Sequence, residues 1–254
     1  VEELLRDLVT LGLAGLLCLL RLGAATFSAA EYDEPASDGR QSTFRLRMAW
    51  YLLGFALVAT ALIVHPAPLS DLRLGLGDRL GALLGGFALG ALGTAQAVLF
   101  ALRRYGRLRM PPLWSYPGAV MNAIGTAFID EATFRGLVLG FLLLAGINPA
   151  IAIVMQALLY VLATRTGAPG RSRYVFGLAL FLGIAGGWLT TFTGGIGAAF
   201  LGHAVTRVAV FVCTGHAGQP APRGHEFEDS WEFRRSPDGW RQAESPGEEA
   251  RADR

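Results

Sequence analysis

Three apolar stretches of this sequence carry polar side chains at four-residue intervals. The first holds Asn122, Thr126 and Asp130, then Glu131 and, four residues on, Arg135. The second holds Gln156, Tyr160 and Thr164, and the third His203 and Arg207. Four residues is a little over one helical turn, so each set lines one helix face. A carboxylate (Asp130 or Glu131) beside His203 could hydrolyse a bond with an activated water, the carboxylate acting as general base and the imidazole polarising a carbonyl. The same charges could instead pair across helices and fix a bundle without chemistry, and from the residues alone the two readings stand level.

The elements that must position these groups are membrane helices. Apolar residues make up 52% of the chain and charged residues 17%, against about 25% charged in ordinary soluble domains. The charges collect at 31–47, 103–109, 165–173 and beyond Gly215, leaving long uncharged runs between. A helix crosses the hydrocarbon with about 20 apolar residues. Seven candidate spans result: 5–27, 46–65, 80–102, 118–145, 147–164, 174–192 and 195–213. The expected fold is all-α, a polytopic transmembrane bundle over residues 1–213, followed by a polar tail over 214–254 whose composition suits disorder. Glu2, Glu3 and Asp7 precede the first apolar run and more spans follow, so that run reads as a retained helix rather than a signal peptide. Charged groups inside hydrocarbon cost several kcal/mol unless matched, so the three polar stripes should converge on one interior site.

Orientation follows from arginine. The flanks after spans one, three and five carry Arg40, Arg45, Arg47, Arg103, Arg104, Arg107, Arg109, Arg165, Arg171 and Arg173, whereas those after spans two, four and six carry only Arg73 and Arg79. This places the C-terminus in the cytoplasm and the N-terminus outside. All 22 basic residues are Arg, which suits a GC-rich bacterial coding sequence and hence a bacterial inner membrane. Trp50, Tyr51, Trp114 and Tyr116 read as interface anchors, and Pro111, Pro112 and Pro117 break the chain between spans three and four.

Other signals are weaker. Cys18 and Cys213 read as small core residues in separate helices. His65 at the end of span two and His216 and His225 in the tail read as surface histidines. Gly81, Gly85, Gly86, Gly90 and Gly93 give span three small-xxx-small spacing, which means close helix packing within the bundle or, as a second use, dimerisation. A net charge of +2 implies no nucleic-acid partner. No phosphate loop, paired-cysteine zinc motif or nucleophile elbow is present. The arginine-rich loops can touch anionic lipid headgroups.

The run Asp130-Glu131-Ala132-Thr133-Phe134-Arg135-Gly136 resembles the Glu-Glu-x-x-Phe-Arg-Gly motif of the CPBP family, intramembrane proteases related to CAAX prenyl endopeptidases and bacteriocin-immunity proteins. That family's second motif, an aromatic residue followed four positions later by His, falls at Tyr160 to Thr164. Its last, a Gly-rich approach and then His with Asn or Asp four residues on, falls at Gly194-Gly195-Ile196-Gly197 and His203 to Arg207. The resemblance covers about residues 118–213. It implies an endopeptidase acting near the cytoplasmic membrane face on a peptide or membrane protein, with or without a lipid chain. In that reading Asp130 or Glu131 activates water, His203 stabilises the oxyanion and Arg135 holds the carboxylates.

The sequence also departs from the family. Asp130 replaces the first Glu, setting its carboxylate about 1 Å back, a displacement that can cost roughly 100-fold in rate. Thr164 replaces the second-motif His and Arg207 the final Asn or Asp. Threonine takes up no proton near neutrality and cannot ligate a metal as imidazole does. Arg207 disfavours a cation and suits pairing with Asp130 or Glu131. One histidine beside two arginines falls short of a three-ligand zinc site, so no metal or other cofactor is expected, although the family is often labelled metalloprotease. Two functional readings stay open: an intramembrane endopeptidase, and a catalytically degenerate relative that binds or regulates a partner through the same cavity. A solute transporter has only the stripes behind it.

Overall fold

In the computed structural model of the chain, residues 2–27, 29, 40–108, 110, 117–166 and 173–214 are described, with the side chains of residues 3, 40–44, 117, 165, 166 and 173–175 excepted. These residues form seven helices and no strand: α1 (Glu2–Leu22), α2 (Arg40–Val64), α3 (Arg79–Tyr105), α4, α5 (Pro149–Thr166), α6 (Arg173–Thr193) and α7 (Gly197–Thr214). The rod α4 has three contiguous parts, an α-helix Pro117–Asp130, a π-helix Glu131–Val138 and an α-helix Leu139–Leu144. The expected loop between spans three and four, with Trp114 and Tyr116, lies outside the described residues, as does the tail from 215 with His216 and His225.

The helix ends follow from local chemistry. Asp78 caps α3, its carboxylate accepting from the Gly81 amide at 2.6 Å, and Gly106 closes the same helix in the left-handed region with its N–H on Leu102. Pro117 and Pro149 stand first in their helices, where the missing amide hydrogen has no intrahelical role.

Arg45–Val64, Arg79–Tyr105, Phe176–Thr193 and Gly197–Thr214 are long and apolar enough to cross a membrane, and Pro149–Thr164 is a shorter apolar helix. Burial is the reverse of a soluble protein's. Leu52, Leu84, Phe87, Leu92, Leu162 and Phe192 face outward, while Asn122, Asp130, Glu131, Arg135, Gln156 and His203 are buried. An apolar exterior around a polar interior is stable only with hydrocarbon outside. The chain is a multi-pass membrane protein.

Glycine sets the α3–α7 seam. A Cβ at Gly86 or Gly90 would stand 2.8 Å from Leu201 or Val205, and one at Gly93 would collide with Thr206. From the α7 side, a Cβ at Gly202 would lie 2.7 Å from Leu89. The small-residue spacing therefore serves packing inside the bundle. At the other end of the bundle the α2–α3 loop is clasped to the α6–α7 turn. The Ile196 amide donates to the carbonyls of Arg73 and Gly75 at 3.0 and 2.9 Å, and the Asp78 amide to Thr193 at 2.8 Å. Gly77, with φ +74°, sits where a Cβ would meet the Thr193 carbonyl. The same loop lies across α4, where Gly136 and Gly140 admit Leu74 and Leu72.

Three expectations need correction. The first span does not run to residue 27 as a helix: α1 ends at Leu22, and the Trp50 indole caps it by donating to the Leu20 carbonyl at 2.9 Å. Trp50 and Tyr51 are accordingly interior groups rather than interface anchors, both being buried. His65 is buried too. Its Nδ1 accepts from the Ala67 amide at 3.2 Å, and its Nε2 lies 3.5 Å from Asp7 Oδ1, because α1 packs beside α2 and supplies the carboxylate.

Candidate functional site

The three polar stripes do converge, and two further helices, α1 and α6, join them. Asp130 closes the α-helical part of α4, and the π segment carries Glu131, Phe134 and Arg135, each at most 1% exposed. Helix α5 brings Tyr160 and α7 brings His203, both buried. Helix α6 forms a wall at Gly186, where a Cβ would stand 3.2 Å from Arg135 Nε and 3.6 Å from Glu131 Oε2. A side chain there would press on the ion pair.

Glu131 is the hub. Its Oε1 lies 2.7 Å from His203 Nδ1 and its Oε2 lies 3.2 Å from Arg135 Nε. The opposite ring nitrogen, Nε2, faces the Tyr160 hydroxyl at 3.4 Å. The Arg135 guanidinium sits 4.1 Å above the centroid of the Tyr160 ring, in reach of its negative face, and Phe134 meets the same ring edge-on. With Glu131 ionised, Nδ1 carries the proton that it donates to the carboxylate, and Nε2 presents a lone pair toward Tyr160.

Asp130 has a different partner. Arg21, in the last turn of α1, places Nε 2.8 Å from Asp130 Oδ1, both groups being almost fully buried. Arg135 therefore holds Glu131, and Arg21 rather than Arg135 holds Asp130. The expected pairing of Arg207 with a carboxylate is also not found. Arg207 Nη2 donates to Asn122 Oδ1 at 3.0 Å, and Asn122 Nδ2 donates to the Tyr51 hydroxyl at 2.7 Å. Tyr51 also lies 3.2 Å from Thr126 Oγ1. Arg21 takes Asp130, and Arg207 is left beside the amide of Asn122, about two turns of α4 from Asp130.

The α5 stripe divides by role. Gln156 ties α5 to α6, donating to the Gly183 carbonyl at 2.6 Å. Tyr160 belongs to the site. Thr164 is buried with no hydrogen-bond partner for its hydroxyl among the described residues, so nothing at this position replaces an imidazole. Cys18 and Cys213 are free thiols, Cys213 buried and Cys18 partly so.

A catalytic metal does not fit this donor set. Each carboxylate is engaged by a guanidinium, the imidazole is engaged by Glu131, and among the described residues no three His, Cys, Asp or Glu gather around one point. A divalent ion would have to displace two arginines to gain three ligands.

Arg21 and Tyr51 are the site residues the sequence reading missed. A lone arginine at the end of an apolar run was a usable signal for the first, since a charge at that depth needs a partner. Tyr51 carried none, because a tyrosine near a span end reads equally well as an interface anchor.

Fold and site together define a multi-pass helix bundle with a buried carboxylate–imidazole centre fed by five helices. Residues 112–209, a stretch that takes in α4 to α7 nearly to its end, match the family described as type II CAAX prenyl endopeptidase Rce1-like. The resemblance read from the three motifs is borne out. No curated protein and no solved structure matches the chain.

Proposed function

We propose that the chain is an intramembrane endopeptidase that hydrolyses a peptide bond with an activated water, Glu131 and His203 working as one acid–base unit. The observation that carries this is the buried 2.7 Å contact between Glu131 and His203. The carboxylate fixes the ring and favours the imidazolium that forms on proton uptake. His203 Nε2 takes a proton from water as the oxygen attacks the carbonyl carbon. The Tyr160 hydroxyl, beside Nε2, donates to the developing oxyanion. The imidazolium then returns the proton to the departing amine, giving a carboxylate and an amine. The expected substrate is a peptide or membrane protein, with or without a lipid chain. We place the site toward the cytoplasmic face of a bacterial inner membrane on the arginine asymmetry of the loops.

A second reading, a degenerate member that binds or regulates a partner, is favoured by the Arg21 clamp on Asp130 and by the unpartnered Thr164 hydroxyl. The two separate in a cleavage assay using prenylated and plain peptides and membranes carrying the chain. Hydrolysis by wild type that falls by about 100-fold or more in Glu131→Gln and His203→Ala supports the endopeptidase. Silence from wild type together with turnover by the Thr164→His/Arg207→Asn chain replaces it with the degenerate reading.

A further inference from the structure

Among the described residues, the guanidiniums of Arg21, Arg135 and Arg207 and the carboxylates of Asp130 and Glu131 lie around the site. Arg21 is matched by Asp130 and Arg135 by Glu131. Arg207, half-buried on α7, meets only the neutral amide of Asn122, and its Nε–H is buried without an acceptor among the described residues. A cation taken partly out of water with a neutral partner is disfavoured. Arg207 is also held in place: Asn122 is itself fixed by Tyr51, and Tyr51 by Thr126. A prearranged guanidinium with donors to spare is the side chain best matched to a planar carboxylate.

We propose that Arg207, positioned by Asn122 and Tyr51, is a subsite for a carboxylate carried by a peptide, at its C-terminus or on an acidic side chain. It lies one turn of α7 from His203, about 6 Å along the axis, or roughly two residues of extended chain. A ligand anchored there reaches the Glu131–His203 pair within a few residues. The proposal rests on the endopeptidase reading for its place beside a reaction centre, but not for its binding chemistry.

The test is fluorescence anisotropy on the full chain in nanodiscs with a labelled hexapeptide of Gly, Ala and Leu in three forms: free acid, C-terminal amide, and amide with one Glu. A carboxylate gained by a guanidinium should give about tenfold tighter binding or more than the neutral amide. The form that gains, acid or Glu-bearing, identifies the source. The preference should collapse in Arg207→Gln and survive in part in Arg207→Lys. If Arg207→Gln does not fold, Asn122→Asp supplies the carboxylate from within the chain and should abolish the preference. Equal binding of all three peptides by wild type, or a preference that persists in Arg207→Gln or Asn122→Asp, overturns the subsite. Cleavage of the same peptides separates the two ideas. Carboxylate preference without cleavage keeps the subsite and removes the hydrolysis, whereas cleavage without preference does the reverse.

Discussion

Helix α7 presents two seams of opposite character. Toward α3 it is closed by glycine, with Gly86, Gly90, Gly93 and Gly202 bringing the rods into contact without any charged group. Toward α4 and α5 it carries His203 and Arg207 into a network of ionic and polar partners. The first seam gains stability from close contact and tolerates no added atom. The second is held by paired charges and tolerates no removed partner. Rigidity on one side is what allows an imidazole on the other to be held at hydrogen-bond distance.

The largest effect expected is on the polar side. Arg21→Met leaves Asp130 charged and alone, and should lower stability by about 3–5 kcal/mol in chemical unfolding in detergent. Much of that should return in the Arg21→Met/Asp130→Leu chain. A double variant no more stable than the single one would mean that the pair does not govern stability. On the glycine side, Gly93→Val drives a side chain into Thr206 and should cost about 1–3 kcal/mol. Adding Thr206→Ala should recover part of that loss.

Smaller changes sharpen the contrast. Thr164→Val removes a buried hydroxyl that has no partner among the described residues, so the variant should be neutral or gain up to about 1 kcal/mol. A clear loss would reveal a hydrogen bond that the hydroxyl makes. Gly15→Ala on α1 has open space around it and should gain about 0.5–1 kcal/mol from helix propensity alone. Destabilisation at Gly15 comparable to that at Gly93 would erase the distinction between a packed seam and a free surface.

Much of the fold was legible because hydrocarbon imposes one rule on every span: apolar length with few charges. The seven expected spans correspond to the seven helices, and the four-residue stripes at 122–130, 156–164 and 203–207 point inward as their polarity requires. Partner choice was not legible. Glu131 and Arg135 lie four apart on one helix, so local geometry announced their contact. Arg21 and Asp130 are joined only because α1 ends beside the middle of α4, a tertiary fact with no trace in spacing. The same holds for His65, whose partner Asp7 lies on another helix. Nor did periodicity reveal the π segment, since one widened turn leaves an apolar run looking unbroken.

That segment has a consequence for how the motif tolerates change. A π turn takes up one more residue than an α turn, so Glu131–Val138 can absorb a residue between the halves of α4. A one-residue deletion within it would be absorbed by closing the wide turn to α geometry, leaving the two halves nearly in phase. The same deletion in an α-helical part would turn one half by about 100° against the other. The half that presents Asn122 and Thr126 to Tyr51 could then not be satisfied together with the half that seats Gly136 and Gly140 against Leu74 and Leu72. In the α-helical parts of this rod the number of residues is as much a part of the site as their identities.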